Sequence, residues 1–145
     1  VLERERLTGY EKALAERNIS LDESLIKHGT TTYEGGYNSM KEMLEEGVVP
    51  HAAFVTGDEA AIGAINAICD SGYRVPEDIS VAGFNDVKIA KMYRPKLTTV
   101  HQPLYDMGAV AIRMVIKMIN KEILEDKKIE LPYRIEERES VIERR

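Results

Sequence analysis

Two apolar runs constrain this chain more than any other feature. Ala52 to Thr56 (AAFVT) and Ile79 to Phe84 (ISVAGF) are of strand length, and the second is continuous rather than alternating, as buried parallel strands are. Each ends in a polar break, Gly57-Asp58 and Asn85-Asp86. Between them Glu59 to Ser71 carries Ala61, Ile62, Ile65, Ala67, Ile68 and Cys69, apolar over much of a helix surface, with Gly72 as its stop. Asp58 is a good N-cap for that helix, and Cys69 reads as a packed thiol. Strand, buried helix and buried strand in succession imply a parallel sheet covered by helices.

The flanking segments repeat the alternation. Glu3 to Asn18 is predicted helical, with Leu7, Tyr10 and Leu14 on one face and Gly9 available for close packing. Ser24 to His28 is predicted to be a short strand. Thr31 and Glu34 have capping-box spacing for a helix to about Glu46, with Tyr33, Tyr37, Met40 and Leu44 inward and Gly47 as its stop. A short helix is expected over Val87 to Tyr93, and a strand-like connector over Leu97 to His101. Asp126-Lys127-Lys128 reads as a turn, with extended segments over Ile129 to Leu131 and Tyr133 to Glu137. The charged tail from Arg138 to Arg145 is expected to fray. The fold class predicted is α/β, a doubly wound parallel sheet.

Pro103 to Lys121 is predicted to be one long helix with two unlike faces. Leu104, Met107, Ala111, Ile112, Met114, Val115, Met118 and Ile119 share a broad apolar arc. Asp106, Val110, Arg113, Lys117 and Lys121 share a narrow stripe opposite. Pro103 suits the first helical position. Arg113 and Lys117, one turn apart, can hold a phosphate between a guanidinium fork and an ammonium, with Ala109 and Val110 as apolar footing. On periodicity alone, a solvated helix face is the favoured reading, because basic helix faces are common.

The 145 residues suffice for one domain and a sizeable core, and 43% hydrophobic with 31% charged residues is ordinary for a globular protein. A net charge of −5 argues against a nucleic-acid-binding module. One cysteine excludes an internal disulfide framework, and no run of about 18 apolar residues spans a membrane. No GxSxG or GxxxxGK[ST] pattern occurs, and His28, His51 and His101 lack metal-ligand spacing with Cys69. The reading is therefore of a protein that is not an enzyme, with no cofactor and no metal. In an open α/β sheet ligands bind at the carboxyl ends of the strands. Those ends carry His28 to Thr32, Gly57-Asp58 and Asn85-Asp86, with Gln102 after the connector. This polar set suits sugar hydroxyls or another small polar ligand, although Thr31 and Asp58 could instead be helix caps.

AAFVTGDEAAIGAINAICDSGYRVPEDISVAGFND, then RPKLTTVHQP, then the long helix and LPYRIEERES, resembles the effector-binding core of LacI/GalR-type bacterial transcription regulators. The resemblance runs from Arg6-Leu7-Thr8-Gly9-Tyr10 to Ser140. Tyr105 through Lys117 is most like the members that govern carbon catabolite repression. It implies a periplasmic-binding-protein-like (type I) fold, a cytoplasmic homodimer, and docking of the phosphocarrier protein HPr, phosphorylated on serine, on Tyr105, Asp106, Val110, Arg113 and Lys117. It places Arg6, Thr31, Asp58, Asn85 and Gln102 at an effector cleft for a small sugar or sugar phosphate. Gly57 and Asn85 stand where sugar-inducible members often have Asn and Asp, which favours control by a protein partner. A sugar-inducible repressor of the same fold remains the alternative, and a periplasmic sugar-binding protein a third. Residues 1–100 would then be the second effector subdomain, incomplete at its N-terminal edge. Residues 101–126 would cross over to a helix that packs on a first subdomain, and residues 127–145 would be terminal strands and tail. The chain opens VLERERL without Met and reads as a fragment. Operator DNA would be met only through a preceding helix-turn-helix domain. Alone, the fragment is expected to pair with a second copy through the apolar arc or a free sheet edge.

Overall fold

The computed structural model describes residues 2–123 and 128–143. Its elements run α1 (Leu2–Ala15), a 3-10 turn (Glu23–Leu25), α2 (Tyr33–Glu45), β1 (Ala52–Phe54), α3 (Asp58–Asp70), β2 (Ser80–Asn85), α4 (Lys88–Met92), β3 (Thr98–His101), α5 (Leu104–Ile119) and β4 (Arg134–Glu136). The sheet has the order β1-β2-β3-β4, with the first three strands parallel and β4 antiparallel to β3. The expected α/β architecture with an open parallel sheet is present. Leu97 to His101 contributes a full strand of it rather than a connector.

The core lies where the apolar runs require it. Ala61, Ala64, Ile65, Ala67 and Ile68 of α3 pack with Ile79, Val81, Ala90 and Leu97, and Met40 of α2 joins them. Gly47 and Gly72, just past α2 and α3, adopt positive φ of 81° and 86°, as helix stops do. α2 and α3 cross at glycine: Gly36 lies against Ala60, and Gly63 lies against Tyr33 and Tyr37.

Several expectations fail for identifiable reasons. Ser24 to His28 is not a strand: it begins in the 3-10 turn, capped by Asp22, and then runs extended without joining a ladder. A strand needs a neighbour for its N–H and C=O groups, and none reaches this segment among the described residues. β1 is the sheet edge, so Phe54 stays exposed despite its apolar run. The cap of α2 is Thr32, whose hydroxyl accepts from the Gly35 amide at 3.2 Å, one residue later than the Thr31–Glu34 spacing suggested. Pro103 is the cap of α5 rather than its first helical residue. Gly9 has no atom within 4 Å of where a Cβ would stand, so it serves no close packing among the described residues. Cys69 faces outward, because Ile65 and Ile68 already take the buried side of α3.

The tail is the largest departure. Ser140 is fully buried; its hydroxyl donates to the Val81 carbonyl at 2.6 Å and accepts from the Thr98 amide at 2.8 Å, and its own carbonyl accepts from the Val81 amide at 2.8 Å. Glu139 pairs with Lys96 at 3.1 Å. Residues 138–142 are thus pinned between β2 and β3 instead of fraying. The turn expected at Asp126-Lys127-Lys128 and the last two residues, 144–145, fall wholly or partly outside the described residues.

Candidate functional site

At the carboxyl ends of the parallel strands the chain forms an open crevice. Arg6 of α1 and Thr31 before α2 line it with Thr56 and Gly57 after β1. Asp58 and Glu59 of α3, Asn85 at the end of β2 and Val87 complete the lining. Four of the five residues expected at an effector cleft therefore converge. The fifth, Gln102, joins them through its side chain, whose Nε2 donates to Asn85 Oδ1 at 3.1 Å. Arg6 enters from the side: its guanidinium lies 4.0 Å from the Phe84 ring centroid and donates to the Thr56 carbonyl.

Asp58 lines the crevice but is not the N-cap of α3, a position held by Gly57. Only 1% of its surface is exposed. Oδ1 accepts from the Thr99 hydroxyl at 2.5 Å, and Oδ2 accepts from the Val87 amide at 2.8 Å. The side chain therefore ties α3 to β3 and to the loop after β2. Burial pushes its carboxyl above the usual aspartate range, against the lowering effect of those hydrogen bonds.

Asn85 and Asp86 hold positive φ, 110° and 57°, at two consecutive residues that are not glycine. Left-handed backbone is uphill for side-chain-bearing residues and persists where the surroundings enforce it. Asp86 is enforced from several directions. Arg138 Nη2 lies 2.5 Å from Oδ1; His101 Nδ1 at 2.9 Å and Lys91 Nζ at 3.3 Å approach Oδ2. Burial alone would raise this carboxyl, but the hydrogen bonds from Arg138 and His101 outweigh it and hold it below the usual range. Its stabilising effect is therefore complete above about pH 4 and is lost as pH falls through its lowered folded value.

Asp86, His101 and Glu136 also place three potential metal-ligand atoms within 4.8 Å of one another. Arg138 and Lys91 occupy the same carboxylate, and Arg134 binds Glu136, so fixed cations already stand where a metal ion would. Sequence spacing did not signal this cluster, because its members come from three separate strands or strand ends.

The second site expected from sequence lies on α5. No residue of this helix is buried. Most of the apolar arc faces outward: Leu104, Met107, Ile112, Val115, Met118 and Ile119 are exposed, while Met114 is half-buried. Opposite them Arg113 turns its Nε back to the Ala109 carbonyl at 3.2 Å. Among the described residues neither Arg113 nor Lys117 is within ion-pair distance of a carboxylate. Tyr105 is 88% exposed, while Val110 is half-buried.

The sequence matches the family model described as a periplasmic binding protein-like domain over residues 1–141. It is 42% identical over 135 residues to catabolite control protein A of Priestia megaterium, a match covering 93% of this chain and 41% of that protein. The transcription regulator CcpA of Lactococcus lactis superposes with a TM-score of 0.89 at 39% identity, covering 98% of this chain and 52% of that one. The lac repressor dimer bound to operator and the anti-inducer ONPF gives a TM-score of 0.87 at 31% identity, covering 97% and 48%. The chain thus spans about two fifths of the length of the curated relative and about half of each solved chain.

Proposed function

The chain belongs to the periplasmic binding protein-like domain family, among regulators of the LacI type, and from that premise we propose that it is the effector-binding core of a bacterial transcriptional regulator whose corepressor is serine-phosphorylated HPr. The observation that carries the proposal is the stripe on α5. Arg113 and Lys117 are cations one helical turn apart, outward-facing and without a carboxylate partner among the described residues. A phosphoserine brings a charge near −2 and three strong acceptor oxygens, which such a pair can meet with charge-assisted hydrogen bonds. Tyr105, Asp106 and Val110 would supply the surrounding contact. A basic stripe on a chain of net charge −5 favours an anionic partner at that helix and nowhere broadly.

Like its relatives, which are regulators rather than enzymes, the chain needs no chemistry for this role: docking would bias one arrangement of the whole regulator over another. Operator contact would belong to a part of the regulator outside this chain. Assembly as a homodimer and a cytoplasmic location are part of the same proposal; no helix among the described residues is long and apolar enough to cross a membrane.

Calorimetry on the full-length regulator tests the proposal. Serine-phosphorylated HPr should bind with a Kd on the order of micromolar, and unphosphorylated HPr should not. Arg113→Ala with Lys117→Ala should weaken binding by at least about a hundredfold, because each charge-assisted bond contributes about 1.5–3 kcal/mol. Equal binding by the double variant would return the stripe to solvated surface.

The convergence of Arg6, Thr31 and Asn85 on one crevice favours a second reading, a repressor released by a small sugar or sugar phosphate. Under that reading glucose 6-phosphate, or another sugar in a screen, raises the melting temperature of the wild type, and Arg6→Ala removes the shift. A melting temperature that no sugar moves would leave the protein partner as the effector.

A further inference from the structure

The strained pair Asn85-Asp86 sits at the mouth of the crevice, and the contacts that enforce it come from far along the chain. Arg138 lies in the segment after β4, 52 residues from Asp86. Its guanidinium makes two kinds of bond at once: Nη1 donates to the Leu97 carbonyl at 2.7 Å, and Nη2 donates to Asp86 Oδ1 at 2.5 Å. The Arg138 backbone amide donates to the Thr98 hydroxyl at 2.8 Å, so the residue is fixed at both ends of its side chain. Beside it Asn85 uses its side-chain carbonyl to accept from Gln102. Its side-chain NH2 makes no hydrogen bond among the described residues and remains a donor on the crevice wall.

We propose that Arg138 is a positioning residue for the crevice: by clamping Asp86 to the start of β3 it holds Asn85 in its left-handed conformation, with the side-chain amide presented to a ligand. A planar fork suits this task, because one rigid group must satisfy a carboxylate and a carbonyl together. His101 and Lys91 complete the enclosure of Asp86, with Glu136 and Arg134 on the far side. His101 directly precedes Gln102, so the same cluster that sets Asn85 also sets its hydrogen-bond partner. The clamp has functional meaning only if the crevice is the effector cleft, but its test needs no ligand, so a failed clamp and a failed cleft give different results.

Hydrogen–deuterium exchange by mass spectrometry on the full-length protein is the test. In Arg138→Met the peptide spanning residues 84–89 should exchange at least about tenfold faster, including the Val87 amide now held by Asp58, while the α3 peptide over residues 62–68 keeps its wild-type rate. Arg138→Lys, which keeps the charge but loses the fork, should fall between the two. Lys96→Met, which breaks the neighbouring surface pair with Glu139, should match wild type. If Arg138→Met lowers protection equally in both peptides, or in neither, Arg138 acts on global stability or not at all, and the proposal is overturned. Should Arg138→Met fail to fold, Arg138→Lys decides by the same comparison of the two peptides.

Discussion

Alanine at Gly36 is expected to destabilise the protein by about 3 kcal/mol or more, toward the upper end of what overpacking does. A Cβ there would stand 1.9 Å from the Ala60 carbonyl oxygen and 2.5 Å from its carbon. At Gly63 the corresponding distances are 2.0 Å to the Tyr33 oxygen and 2.8 Å to the Tyr37 nitrogen. These are backbone atoms inside helices, so no side chain can rotate away to make room. The helices themselves would have to separate, pulling Met40 of α2 from Ala64 and Ile68 of α3. Against a total stability of about 5–15 kcal/mol, either substitution removes a large fraction of the margin. Gly9→Ala is the matched control. It lies inside α1 with open space around it, so the better helix propensity of alanine should stabilise by about 0.5–1 kcal/mol. Urea unfolding followed by circular dichroism separates the cases. A midpoint for Gly36→Ala within error of wild type would mean that α2 and α3 do not cross at these glycines.

What was legible in the sequence and what was not divides along a physical line. Elements set by their own periodicity were readable: α2 and α3 end near their glycines, β2 follows its continuous apolar run, and α5 occupies almost the whole amphipathic stretch. The crevice was readable in outline, since strand ends in a parallel sheet must point to one edge. Features set by partners distant in sequence were not. Ser140 looks like any residue of a charged tail; only the free Val81 carbonyl and Thr98 amide between β2 and β3 make it a buried residue. Arg138 reads as solvated charge until Asp86 is placed beside it. Ser24 to His28 has strand composition, but a strand is a relation between two segments, and its partner is missing from the described residues. Asp58 shows a subtler failure. An aspartate just before a helix is a favoured N-cap, yet here Gly57 takes the cap position and the carboxylate turns inward.

That inward turn makes Asp58 the second position of large effect. Asp58→Ala would strand the Thr99 hydroxyl and the Val87 amide, and it would open space beside Gly83, whose missing Cβ would otherwise lie 2.5 Å from Asp58 Oδ1. Leaving a buried donor unsatisfied costs about 1–3 kcal/mol, so the two together predict a loss of about 3 kcal/mol. Asp58→Asn keeps the shape and one acceptor, but it turns an NH2 toward either the Val87 amide or the Thr99 hydroxyl. The hydroxyl can rotate and donate elsewhere, whereas the amide cannot, so Asn should adopt the orientation that spares Val87 and lose less than Ala. The pH dependence distinguishes this account from simple loss of packing. Because burial raises the Asp58 carboxyl above its unfolded value, the folded state binds that proton more tightly than the unfolded chain. The resulting stability is present in full below about pH 4 and declines as pH rises through the raised folded value. Asn has no proton to bind, so the deficit of Asp58→Asn relative to wild type should grow between pH 7 and pH 4. Urea titrations of both proteins at the two pH values measure it. A deficit that shrinks toward pH 4 would mean that Asp58 is held ionised by its partners, as Asp86 is by Arg138, and that its burial is not the dominant influence.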